Sequence, residues 1–142
     1  MQQKSTGNLL EELLQTEQLE SFLETNDAQL LDTTLAQELQ KLLAEKQITK
    51  AEAALKSGLS RVYVYQIFSG MKIPSRDRLL CLCFALSLEP EEISNLLKHT
   101  GYAALYPRNR RDSVILFAAG RHKTLMELEE MLEQQQLPGI QK

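Results

Sequence analysis

The 142-residue sequence contains no tryptophan, only two cysteines and two histidines, and just four prolines and six glycines. Each scarcity excludes something. So little Gly and Pro leaves few breaks of the kind a strand-and-turn fold needs, and favours helices. Cys81 and Cys83 stand two apart in one predicted helix, so their side chains diverge by about 200°. That is poor geometry for a disulfide and fits a reducing compartment. No second Cys pair completes a zinc site, and His99 and His122 lie on separate segments without a Cys or carboxylate at ligand spacing. No metal or other cofactor is expected. There is no Gly-rich phosphate loop, no G-x-S-x-G and no evident pair of catalytic carboxylates, so neither catalytic residues nor enzyme activity are expected. The most apolar run, Leu79 to Leu88, has about ten residues where a bilayer demands about twenty. The start, Met1-Gln-Gln-Lys-Ser, runs into a Leu/Glu-rich segment with no export-signal pattern. A cytoplasmic protein without membrane contact is expected.

Hydrophobic residues make up 43% and charged residues 25%, near globular averages, which excludes wholesale disorder. The length suits one domain with an extension. The net charge of −3 hides a division. Residues 1–32 carry one base, Lys4, against seven acids, whereas residues 46–111 carry eleven bases against five acids. An acidic arm joined to a basic middle is the asymmetry expected of a protein with a polyanionic partner.

Apolar spacing predicts seven or eight short helices. Leu9, Leu10, Leu13 and Leu14 mark one face in the arm, and Leu19, Phe22 and Leu23 another, before Asn26-Asp27 interrupts. Asp32-Thr33-Thr34 offers caps for a helix to about Lys46. Thr49-Lys-Ala-Glu52 is a capping box opening a helix that stops at Ser57-Gly58. Ser60 caps the next, through Phe68, with Val64, Ile67 and Phe68 inward. Pro74-Ser75 leads into a helix from about Arg76 to Leu86, apolar around most of its surface and therefore central. Pro90 opens another, ending before Gly101. Asp112 is the expected cap of a helix to Ala119, and Thr124-Leu-Met-Glu127 a capping box for the last one, to about Gln136.

The middle of the chain resembles the helix-turn-helix domain of the Xre and phage-repressor (lambda-repressor-like) family. Thr49, Glu52, Ala54, Gly58, Leu59, Ser60, Arg61, Tyr63, Val64, Ile67, Gly70, Pro74, Ser75, Leu79, Leu82, Ala85 and Leu86 carry the resemblance, over residues 35–98 without insertion or deletion. It implies a five-helix repressor-like domain over 33–100; with the acidic helical arm over 1–32 and the basic loop and C-terminal helical hairpin over 101–142 that charge and apolar spacing predict, the expected fold is all-α. The chain departs from the family pattern at Ala53, Phe68 and Met71, at Ser87 where Gly is usual, and at Glu89 where a Ser/Thr cap is usual.

The spacing also has its own physics. Small Ala54 and Gly58 let the second helix and the turn approach the third. Leu59, Val64 and Ile67 pin the third along one side, leaving Arg61, Val62, Tyr65 and Gln66 outward, where a helix can meet base edges in the major groove of double-stranded DNA. Arg suits guanine, Gln suits adenine, and Val62 suits a thymine methyl. By resemblance, Lys50 contacts a phosphate or the groove edge and Lys72 a phosphate or peripheral base.

Three features leave alternatives open. Arg108, Arg110 and Arg111 form either a phosphate clamp or part of a plain loop. The apolar residues of 112–137, among them Phe117 and Met131, either pack back on the domain or form a subunit interface. The acidic arm either packs on the domain, which is the favoured expectation, or mimics DNA, or binds a partner. Because one recognition helix touches only about four or five base pairs, a homodimer on two half-sites is expected. The functional expectation is a sequence-specific, Xre-type transcriptional regulator. The competing one is a protein-interaction module on the same scaffold, using a Tyr63/Tyr65 face or the hairpin to bind a regulatory protein.

Overall fold

The computed structural model describes residues 5–21 and 34–141. The chain divides into two compact units, residues 1–32 and 33–142. In the first, α1 (Thr6–Gln15) starts at Ser5, whose side chain accepts the Asn8 amide, and it buries none of its residues. Residues 19–21 are also helical; the expected contributions of Phe22, Leu23, Asn26 and Asp27 lie outside the described residues.

The second unit is helical, with no strand among the described residues. Its elements are α2 (Leu35–Lys46), α3 (Lys50–Ser57), α4 (Arg61–Phe68), α5 (Arg76–Ala85), α6 (Pro90–His99), α7 (Arg110–Gly120) and α8 (Leu125–Gln134). Local caps fix most of the starts. Thr34 and Gln37 exchange side-chain-to-backbone bonds at 3.1 and 3.2 Å, as do Thr124 and Glu127 at 2.9 and 3.1 Å. Asp32 and Thr33, the other candidate caps for α2, lie outside the described residues. At Thr49 only half of the expected box forms: its hydroxyl takes the Glu52 amide, but the Glu52 carboxylate accepts that hydroxyl and not the Thr49 amide.

Helix α5 is the hub. Every residue from Leu79 to Ala85 is buried, and α3 and α8 both pack against it. One continuous core joins Leu39, Val64, Ile67, Phe68 and Leu82 of the five-helix part with Ile115, Ala118, Leu128 and Leu132 of the hairpin. Of the two alternatives for the hairpin, it packs back. Its exposed remainder is small and includes Phe117, at 51% exposure, and Met126.

The seam between the two halves is a reciprocal ion-pair lock. Arg76 and Asp77 open α5, Arg111 and Asp112 lie in the first turn of α7, and each arginine takes the other helix's aspartate. Arg76 contacts both oxygens of Asp112, at 2.9 and 3.2 Å, and donates to the Ala103 and Ala104 carbonyls. Arg111 contacts both oxygens of Asp77 at 2.9 Å. It also donates to the Pro138 and Gly139 carbonyls, holding the C-terminal segment in place. Bidentate pairing of this kind fixes geometry as well as adding energy. The Asp77 carboxylate holds the Arg111 guanidinium above its ordinary range, outweighing the opposing effect of burial.

Two expectations are corrected here. Asp112 does not cap α7: Asn109 does, its side chain accepting the Asp112 amide at 2.9 Å, and Asp112 is buried at the third position. Helix α7 runs to Gly120, one residue past the expected Ala119, and the left-handed residue that follows it is His122 (φ 54°). Ser87, standing where the family favours Gly, adopts a left-handed φ of 53°.

Candidate nucleic-acid interface

Residues 57–60 set the angle between α3 and α4. The buried Ser57 hydroxyl donates to the Ala54 carbonyl at 3.0 Å and accepts the Leu59 amide at 3.2 Å. Gly58 takes the left-handed turn (φ 73°), which a side chain would strain. Ser60 then caps α4 by accepting the Tyr63 amide at 3.1 Å.

Helix α4 is anchored along one flank. Val64, Ile67 and Phe68 are essentially sealed from solvent, whereas Arg61, Val62 and Tyr65 are exposed and Gln66 is half-buried. Three of the four positions expected to face outward, Arg61, Val62 and Tyr65, are exposed on one short helix, and Gln66 is only partly so. Tyr63 and Tyr65 do not share a face: Tyr63 packs on the core, with the Arg78 guanidinium 5.2 Å from its ring centre, while Tyr65 faces solvent.

Several cations around α4 are exposed. Lys50, the first residue of α3, is exposed, as are Lys56, Lys72 and Arg78. Among the described residues Lys50, Arg61 and Lys72 make no ion pair. The Met71 and Lys72 amides donate to the Gln66 carbonyl at 2.9 and 3.2 Å, so the loop carrying Lys72 folds onto the end of α4. Tyr102 holds that loop from the far side by donating its hydroxyl to the Pro74 carbonyl at 2.6 Å. Burial, and then proximity to Tyr63, push the Tyr102 phenol above its ordinary value, so it stays a donor.

The three arginines of the following loop separate. Arg108 and Arg110 are exposed. Arg111 is removed from the proposed phosphate contacts because Asp77 and two carbonyls occupy its guanidinium. Sequence reasoning did not single out Arg78, which extends the basic rim. It also missed the lock partners, because cross-helix pairing leaves no local pattern; Asn109 was recoverable, since Asn109-Arg-Arg-Asp112 has capping-box spacing.

The surround is also apolar. Leu55 and Ile73 are each 84% exposed, with Met71 and Val62 nearly as open. An open groove of about 410 Å³ lies between α3 and α4, lined by Ala51, Glu52, Ala54, Leu55, Leu59 and Arg61.

Both cysteines are buried and free. Burial is the main cause that pushes the Cys81 thiol up to about 12 and Cys83 higher still, so both thiols stay protonated at neutral pH. Among the described residues no group of three His, Cys, Asp or Glu could hold a metal, and no helix is long and apolar enough to cross a membrane.

In comparison with protein families, the model described as Helix-turn-helix matches residues 39–93. No curated protein and no solved structure matches the chain.

Proposed function

Residues 39–93 match the helix-turn-helix family, the domain type of DNA-binding regulators, and on that likeness we propose that the protein is a sequence-specific transcriptional regulator of the Xre type. The observation that carries this is the one-sided anchoring of α4, with Arg61, Val62 and Tyr65 exposed and Gln66 half-buried beside them. In this account α4 lies in the major groove of double-stranded DNA. Arg61 and Gln66 supply the paired donors and acceptors that distinguish bases, and Val62 and Tyr65 make apolar contacts. Lys50 and Lys72 bind flanking phosphates, and Arg78 joins them. Arg108 and Arg110 are the remaining candidates for an outer phosphate contact. The domain of 33–100 does the reading, the arm of 1–32 and the hairpin of 101–142 flank it, and the protein works in the cytoplasm as a binder and not as an enzyme. Two copies on half-sites about 34 Å apart supply the discrimination that one helix lacks.

The exposed Leu55, Val62, Met71 and Ile73 favour a second reading, in which the same scaffold binds a regulatory protein. Selection of bound genomic fragments at stated salt, followed by binding titrations, separates the two. The DNA reader recovers one sequence, binds it more weakly as salt rises, and loses discrimination in Arg61→Ala or Gln66→Ala. A protein module recovers no fragment and retains a protein partner that Tyr65→Ala releases.

A further inference from the structure

The outward face of α4 can read bases only if the helix is held at a fixed tilt, and an eight-residue helix has little length with which to hold itself. Its start is fixed by Ser60. Its end is the weak point, because the last carbonyls of any helix lack partners within it. One of them is supplied from elsewhere: Gln40, on α2, donates its side-chain N–H to the Phe68 carbonyl at 2.7 Å, across 28 residues of sequence. One turn earlier on α2, Ala36 lies beneath Gly70, whose added Cβ would come within 3.9 Å of the alanine methyl. Gln40 and Ala36 are four apart, on one face of α2. The first two turns of α2 therefore lie against the end of α4 and the glycine turn that follows it, and the Gln40 bond is the polar tie between them. Phe68 itself is fully buried, so the bond joins a fixed point in the core to a fixed point on the neighbouring helix.

We propose that Gln40 is a positioning residue for DNA reading: its bond to the Phe68 carbonyl sets the tilt of α4, and so the placement of Gln66 and Tyr65 in the groove. The inference rests on the DNA-reading account above. Its physical basis is an asymmetry. Phosphate contacts tolerate small shifts, whereas bidentate base contacts require their donors and acceptors in register. Loosening the end of α4 therefore lowers specific binding and leaves non-specific binding nearly unchanged.

Two variants isolate the donor. Gln40→Met keeps the length of the side chain without an N–H; Gln40→Lys keeps a donor and adds one charge. The probes are the duplex that wild type selects from a random pool and a scrambled duplex of equal length, and the quantity read is the ratio of the two affinities, in which the added charge largely cancels. Gln40→Met is expected to lower the ratio about fivefold to tenfold, as loss of one hydrogen bond does, with an unchanged salt slope; Gln40→Lys restores most of it. A wild-type ratio in Gln40→Met, or equal loss in both variants, overturns the proposal. Hydrogen exchange in the free protein gives a readout that does not depend on DNA. The Ser69 and Met71 amides, which close the end of α4 on Tyr65 and Gln66, should exchange several-fold faster in Gln40→Met than in Gln40→Lys. Should wild type select no duplex, the DNA reading fails; exchange then still decides whether Gln40 holds α4, and equal rates overturn that.

Discussion

Helices α4 and α5 follow each other in the chain and are eight and ten residues long, but they handle charge and apolar surface in opposite ways. Helix α5 buries seven consecutive residues, and Arg76 and Asp77 in its first turn are matched by Asp112 and Arg111 of α7. Helix α4 buries three residues and leaves Arg61 without an ion pair among the described residues. The contrast separates two jobs. The charges of Arg76 and Asp77 are matched within the molecule, where they fix the hairpin to the five-helix part. Arg61 on α4 is exposed, and in the proposed account it is left for DNA.

The sharpest way to break this contrast is to remove one charge from each helix system. Asp112 is buried and satisfies Arg76 and the Tyr106 amide together. Its replacement by Ala should cost about 1–3 kcal/mol, because the partly buried arginine and the Tyr106 amide lose their acceptor. Arg61→Ala should change stability by less than about 0.5 kcal/mol. Thermal or urea unfolding measures both, and equal losses would abolish the distinction between the helices. On selected DNA the order reverses: Arg61→Ala should lower affinity by about 1–3 kcal/mol in a titration at fixed salt, and Asp112→Ala, where it remains folded, by much less.

A smaller effect concerns the end of α5. Ser87 holds a left-handed φ of 53° where the family favours Gly, and Ser87→Gly should raise stability by up to about 1 kcal/mol by relieving that strain. Loss of stability on urea unfolding would show that the serine side chain contributes something the backbone angle does not reveal.

The smallest effect is acid sensitivity. Burial opposes ionisation of Glu92, but the Glu89 amide and Lys46 together hold its carboxyl below its ordinary value of 4.5. Its folded value is depressed, so its contribution is complete above about 4.5 and is lost as pH falls through the lower folded value. The pair is partly exposed, so Glu92→Gln should remove less than about 1 kcal/mol at pH 7, with a difference from wild type that shrinks as pH falls through the depressed folded value. A difference that grows in acid would contradict the assignment.

Much of the five-helix part was legible because its signals are local. Thr49, Ser60, Ser75 and Thr124 cap helices within three residues of themselves, and the anchored and outward flanks of α4 follow from a 3.6-residue period. What stayed hidden depends on partners far apart in sequence. Arg111 looked like a phosphate ligand because nothing nearby in the chain foretells Asp77, 34 residues away. Gln40 had no functional signal at all, since its partner is a backbone carbonyl. Asp112 was misplaced for a local reason: Asn109, three residues upstream, is the better-placed cap, and Asp112 then turns inward to Arg76.

The central claim is tested most directly by a nuclear magnetic resonance titration of the isotope-labelled protein with the duplex that it selects. If α4 enters the groove, the largest shifts fall on the Arg61, Val62 and Tyr65 amides and the Gln66 side-chain amide, with Lys50 and Lys72 next. Shifts confined to α7 and α8, with those four residues unmoved at saturation, would contradict it.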